Sequence, residues 1–403
     1  MNHVSRTPLW FVLSFAAIGP LHAQAASPRP VQFAPDLELS GGRPSSQWQL
    51  EPTIIANPRD PRNLVAGYFG RSKPNGSLPC HAAFTSDAGA TWSSAGDPPL
   101  ASRLDACFDP SLAADDTGTF YFAYLDSHVT PEGFITTTDI RVARSTDGGR
   151  TFSEFSLPVI GGEELGTPDP DKEWITVDTQ PRSHFRGTIY LSYTDFPTLD
   201  IMIKVMVSRD GRRTWSAPVI VSRSVSVFSP EGVQSSEPII APDGTAYVFY
   251  HDFNNDTMRS SMKFVKSKDG GRTWSPASDA AADLPAPGFY LLDNGDPQFG
   301  TNKAFGVFVT SYPTAAVAPD GTLYVAWSDF PDGHCSPGGM FGYITCVNAD
   351  VRLTVSRDGG RSWSAPRKVH DDATTADQFL PWIATGPDGL LSTRFHKYDD
   401  VYI

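Results

Sequence analysis

The chain has 403 residues, 40% of them hydrophobic, and a formal net charge of -13. So negative a molecule repels nucleic acid and anionic lipid, and neither is expected as a partner. No linker, charge run or low-complexity tract divides it and no helical period lasts beyond a turn or two, so a single all-β domain is expected after the leader.

The leader comes first. Arg6 precedes an apolar run from Leu9 to Ile18, and Ala23-Gln24-Ala25 supplies a small-residue cleavage site. Residues 1–25 read as a signal peptide, because the run is about half a bilayer span. No later segment is long and apolar enough to insert into a membrane, so the domain at 26–403 is expected to be secreted or periplasmic. In such a compartment the four cysteines read as two disulfides, Cys80 with Cys107 and Cys335 with Cys346; free buried thiols are the alternative. The second pair brackets a Gly-rich insertion after Asp329.

Five copies of Ser/Thr-x-Asp-x-Gly-x-Thr/Ser-Trp/Phe then mark the chain, with their aspartates at Asp87, Asp147, Asp210, Asp269 and Asp358. Arg212 replaces the glycine of the third copy. The pattern describes a hairpin turn in which Asp bonds its own backbone, Gly takes positive φ and the aromatic residue anchors the next strand. Ahead of the motifs run apolar strands with Pro-Asp-Gly turns, as in Ile239-Ile240-Ala241-Pro242-Asp243-Gly244 and Ala315-Ala316-Val317 before Pro319-Asp320-Gly321. Each unit is thus a four-stranded antiparallel blade, and the spacing is that of a propeller. A sixth unit starts at Pro381-Trp382 and stops at Asp400-Val401-Tyr402-Ile403, short of an outer strand. A six-bladed β-propeller with an incomplete last blade is expected, either closed by a strand from Pro30 to Phe33 or frayed at its end.

With these motifs the chain resembles the sialidase-like superfamily, whose Asp-box (BNR) repeats have this pattern. The resemblance implies a six-bladed propeller, a glycan substrate and structural Asp-box aspartates on the face opposite the active site. Sialidases proper hold the substrate carboxylate with three arginines, the first in a Phe/Tyr-Arg-Ile-Pro motif. Here the first blade opens Leu50-Glu51-Pro52-Thr53-Ile54, and Arg43-Pro44 is preceded by Gly42.

Aligning the units on the residue before the inner strand's Pro or Trp gives Glu51, Asp109, Glu173, Glu237, Tyr312 and Leu380. Propeller topology sends these toward the central channel, away from the Asp-boxes. The second strands end on the same face at Asp126, Asp195, Asp252 and Asp329, followed in three units by Phe196, Phe253 and Phe330. Carboxylates accept sugar hydroxyls and aromatic rings meet a sugar's C–H face, so this second set reads as substrate-binding. Crowding raises carboxylate pKa values, which lets one acid stay protonated beside an ionised neighbour, as glycoside hydrolysis requires. The other reading of the same acids is that they cap backbone amides of adjacent loops.

The expected function is therefore that of a secreted glycosidase of the sialidase-like class. Glu173 and Glu237 are its leading catalytic candidates, with Asp109, Glu51 and Tyr312 around them. Four clustered carboxylates favour a neutral glycan over a sialoside. A non-catalytic propeller binding a glycan or protein through this face is the alternative. A monomer needing no cofactor is expected; Asp169, Asp171 and Glu173 offer a calcium candidate, and no histidine spacing suits zinc.

Overall fold

The computed structural model describes residues 49–70, 78–102, 104–164, 166–197, 200–224, 229–292, 307–337, 344–370 and 374–397. The leader at 1–25, the candidate closing strand at 30–33, Arg43 and the terminal stretch 400–403 lie outside the described residues. Within them the regular structure is all strand.

Five four-stranded antiparallel sheets follow one another as simple meanders, with inner strands Gln49–Asn57, Ala106–Ala114, Pro170–Val177, Glu231–Ile240 and Thr314–Val317. The sixth unit is a hairpin of Gln378–Thr385 and Leu391–Lys397. Among the described residues, then, the six-blade expectation is corrected to five full blades and a two-stranded sheet. Another four-stranded sheet joins Phe289–Leu292, Val307–Thr310, Thr345–Val347 and His334–Ser336 around blade 5, the last two from the Gly-rich insertion after Asp329. It contains the Cys335–Cys346 disulfide, whose Cα atoms are 4.1 Å apart; Cys80–Cys107, at 5.3 Å, ties blade 1 to the inner strand of blade 2.

Blades pack face to face through apolar layers. Phe69, Phe120, Phe122 and Phe152 fill the layer between blades 1 and 2, while Phe249, Phe264, Leu323 and Trp327 fill that between blades 4 and 5. The Asp-box aromatics are part of these layers. Phe152 meets Phe122 edge-on at 5.5 Å, Trp363 meets Phe249 at 6.0 Å, and the Trp215 indole donates to Ser156 Oγ of the preceding blade at 3.1 Å.

The Asp-box itself is a hydrogen-bond knot. Asp269 accepts from Thr273 N at 2.9 Å, Arg272 N at 3.0 Å, Thr273 Oγ1 at 2.5 Å and Ser267 Oγ at 2.8 Å. The equivalent hydroxyls of Thr91 and Thr214 hold Asp87 and Asp210 at about 2, and Ser362 lowers Asp358 likewise. Gly149 has φ +87°, and a Cβ there would lie 2.1 Å from Val65 of the neighbouring blade. Arg212 takes the same turn position at φ +74° and answers Glu154 of blade 2 at 2.9 Å. Asp269→Ala should cost roughly 1–3 kcal/mol through its orphaned donors, lowering the thermal midpoint in a melting scan and leaving the chemistry of the folded fraction unchanged.

Strand register settles which face is which. Thr85, Ser145, Ser208, Ser267 and Ser356 pair with Leu64, Phe120, Ile189, Ala246 and Leu323, near the start of each second strand. The Asp-boxes therefore share an edge with the inner hairpins, and the entries of the inner strands lie at the other edge.

Candidate active site

Among the described residues five of the six inner strands carry a β-bulge near their entries, while that of blade 5 pairs in even register. The register slips between Leu50 and Thr53, Phe108 and Ser111, Asp171 and Trp174, Gln234 and Glu237, and Phe379 and Trp382. Inside each slip one residue takes φ near +50°: Glu51, Asp109, Lys172, Ser235 and Leu380. An extra residue at the same place in these five units re-aims side chains and leaves an amide without its ladder partner. Tyr312, ahead of Pro313-Thr314, falls at the same position of blade 5. The alignment on Pro or Trp is thereby corrected: Glu173 and Glu237 lie one and two residues beyond the position held by Glu51 and Asp109.

Three of the expected residues come together around a lysine. Lys172 Nζ lies 2.9 Å from Asp109 Oδ1 and 3.4 Å from Glu51 Oε1, with the Tyr312 ring centroid 5.9 Å away. The orphaned amides are taken up in the same cluster: Asp109 N donates to Glu51 Oε2 at 3.1 Å, and Lys172 N to Asp109 Oδ2 at 3.2 Å. Burial works against the Asp109 carboxylate, but the Lys172 ammonium and its hydrogen bonds win and hold it at about 2. Burial would lower Lys172 too, and Asp109 and Glu51 instead raise it well above the usual range. Glu51 is pushed up to about 8 by burial, against Lys172, and Tyr312 up to about 12 by burial.

Beside this cluster a cleft of about 430 Å³ opens between blades 2 and 3. Asp109, Asp169 and Asp171 form its acidic wall, and Phe108, Ile135 and Phe196 lie among its apolar residues. Asp171 accepts from Gln234 Nε2 at 2.6 Å. Burial, then the charge of Asp109, push its carboxyl up to about 7. The cleft thus presents an ionised carboxylate and a second acid that titrates near neutrality.

Glu173 and Glu237 stand elsewhere. Glu173 is 1% exposed, and both its oxygens are buried without a hydrogen-bond partner among the described residues. Burial raises its pKa well above the usual carboxyl range. Glu237 Oε2 accepts from Ala315 N of blade 5 at 2.9 Å. Ser111 takes Ile175 N in the same way at 3.1 Å, and Thr314 takes Ile383 N at 3.5 Å. Glu237 therefore fills a clasp between successive units that shorter hydroxyl residues fill elsewhere, and burial there pushes it up to about 8. This corrects the expectation that its carboxylate points into the channel. The same layer carries Trp174 and Trp382, whose rings meet at 5.1 Å.

No family model matches the sequence. It is similar to a sialidase of Bacteroides fragilis, 27% identical over 222 residues, which is 48% of this chain. The match spans 40% of that protein's length. The fold is similar to that of the leech intramolecular trans-sialidase complexed with 2,7-anhydro-Neu5Ac, with a TM-score of 0.55 and 11% identity over 92% of this chain and 68% of that one. The intramolecular trans-sialidase of Ruminococcus gnavus, in complex with oseltamivir carboxylate, gives 0.51 and 12% over 87% and 90%. The chain shares the β-propeller fold of these two enzymes.

In this propeller, Lys172 is the cation that contacts the central carboxylates, and no arginine forms an ion pair with Glu51, Asp109, Asp171 or Glu173 among the described residues. The second-strand acids are spoken for instead. Asp126 is fully buried and pairs with Arg141 at 2.5 Å, Asp195 is fully buried against Lys204, and Asp329 accepts from the Trp327 indole at 2.9 Å with Arg352 at 3.9 Å. Each cation comes from the third strand, two residues past the aspartate's own partner. Buried and neutralised, these three acids have no surface to offer a sugar, which corrects their reading as substrate contacts. Phe253 and Phe330 are buried too, at 6% and 2% exposure; of the three aromatics Phe196 lines the cleft.

Lys172 is the residue that sequence reasoning missed, and Asp171, a calcium candidate there, was missed as a catalytic one. In Asp171-Lys172-Glu173-Trp174 no proline marks the bulge, whereas Pro52, Pro110 and Pro381 do so in other units, so the shift that brings Lys172 to the centre carries no signal in the sequence. Of the calcium candidates, Asp169 lies in the cleft, Asp171 is bound to Gln234 and Glu173 is interior. Among the described residues no group of three or more His, Cys, Asp or Glu side chains is gathered as a metal site.

Proposed function

We infer that this sialidase-like propeller is an exported glycoside hydrolase that cleaves a neutral glycan in the cleft beside Asp109 and Asp171. The observation that carries the reading is the pair itself: two carboxyls in one cleft, one held at about 2 and the other pushed up to about 7. Such a divergence assigns roles. Asp171 gives its proton to the glycosidic oxygen as the C–O bond breaks, Asp109 stabilises the positive charge developing on the sugar ring, and water supplies the hydroxyl and returns a proton to Asp171. Lys172 keeps Asp109 ionised and, being already paired twice, offers an anionic sugar little; Glu51 and Tyr312 complete the wall around it. Nothing in this scheme calls for a cofactor, and a monomer suffices.

The two disulfides support an oxidising compartment, in keeping with a leader at 1–25. The capping of Asp109 N and Lys172 N by Glu51 and Asp109 favours a second reading, a propeller that binds a glycan without cleaving it. A screen of the protein against chromogenic glycosides and polysaccharides separates the two. Turnover of a neutral glycan is expected; retention of a glycan with no turnover would favour binding alone, and a preference for sialosides would refute the neutral-substrate reading.

A further inference from the structure

Blade 4 departs from the pattern of buried ion pairs that blades 2, 3 and 5 share. Asp252 is the counterpart of Asp126, Asp195 and Asp329, and Lys263 that of Arg141, Lys204 and Arg352, by the same strand register. Lys263 nevertheless turns outward to Asp279 Oδ1 at 2.7 Å. The cause lies on the outer strand: the residue paired with Lys263 is Asp279, whereas Lys204 and Arg352 are paired with Ile220 and Lys368, which offer no carboxylate. Asp252 is left half-buried, and its carboxylate makes no hydrogen bond or ion pair among the described residues.

It faces a cavity of about 480 Å³. Ser224 lines the same cavity, 7% exposed, with its hydroxyl buried and unpartnered among the described residues. The charged lining residues balance, Glu231, Asp252 and Asp283 against Arg223, Arg259 and Lys263, so the cavity favours a neutral guest rich in hydroxyls. Gly232 and Val233 form part of its wall, and the next residue, Gln234, holds Asp171. The cavity and the catalytic cleft therefore adjoin the two ends of one short stretch of strand.

We propose that this cavity is a second saccharide subsite, in which Asp252 and Ser224 bind the hydroxyls of a neutral sugar unit belonging to a chain whose scissile bond lies at Asp109 and Asp171. The proposal rests on the glycan reading of the cleft and narrows it to an oligosaccharide or polysaccharide.

Affinity electrophoresis in gels containing soluble arabinan, xyloglucan or starch tests it without requiring turnover. Wild type and Asp171→Asn should both be retarded by one of these polymers, while Asp252→Ala should bind it about 10-fold more weakly, as expected for one lost hydrogen bond to a charged acceptor. Ser224→Ala, nearly isosteric and carrying no charge, is the companion that guards against misfolding and should weaken retardation several-fold. In kinetics, the ratio of kcat/KM for the polymer to that for a one-sugar aryl glycoside should fall by a similar factor in Asp252→Ala. Unchanged retardation in both folded variants, or no retardation of wild type by any of the three polymers, would overturn the subsite. Retardation that depends on Asp252 without any hydrolysis would keep the subsite and remove the hydrolase reading.

Discussion

Asp171→Asn is expected to lower kcat on a neutral glycan by about 10²–10⁴-fold, the usual contribution of a positioned general acid. Asp109→Asn should do comparable damage, because it removes the ionised partner and leaves Lys172 with Glu51 alone. The pH profile carries the sharper prediction. Asp171 must be protonated to act, so turnover should fall as pH rises through about 7; Asp109 must be ionised, so the acid limb should lie near 2. As the two groups share one cleft, these limbs belong to the pair rather than to either residue. Residual activity in Asp171→Asn should lose its alkaline limb. Glu237→Gln, in contrast, should leave the profile's shape unchanged. A profile that rises above pH 7, or full activity in Asp171→Asn, would move the catalytic groups elsewhere.

Thermal stability should be greater at pH 5 than at pH 8. Glu237 is held neutral in the folded state, pushed up to about 8 by burial, and burial raises Glu173 in the same direction, but an unfolded glutamate ionises near its ordinary 4.5. Between those values the unfolded chain binds fewer protons than the folded one, so stability falls with rising pH by roughly 1.4 kcal/mol per pH unit for each such group. The Asp-box aspartates have the opposite sign. Their folded pKa values are lowered, so the stability they confer is present above about 4 and lost as pH falls toward 2. The midpoint should therefore fall by about 5 °C between pH 5 and pH 8. Glu237→Gln keeps an acceptor for Ala315 N and cannot ionise, so it should flatten that slope. A midpoint constant or rising from pH 5 to pH 8 would show that these carboxyls are not held neutral.

The residues that keep their meaning wherever they sit were legible in the linear chain. An Asp-box is a local turn, with every hydrogen bond made within four residues of its aspartate, so five copies announced five blades, their turn face and the spacing between them. The Cys80–Cys107 pair followed from the same blade map, which brings both residues to one face, and Cys335–Cys346 from the insertion that it brackets. What could not be read was the bulge. One inserted residue at φ near +50° shifts the inner strand by a position, and where no proline follows it the shift leaves no mark in composition. That shift moved Glu173 into the interior and Glu237 onto the next blade, and it brought Lys172 to the centre beside Asp109. The fates of the second-strand acids were decided across strands as well: Asp126, Asp195 and Asp329 were each met by a cation some 9 to 23 residues later in the chain, and Asp252 lost its own to Asp279. By itself the sequence determined an Asp-box propeller with an acidic face. Which of its carboxyls are ionised, neutral, paired or free was decided by the tertiary structure alone, because burial and the position of a few cations, rather than residue type, set the charge of an acid.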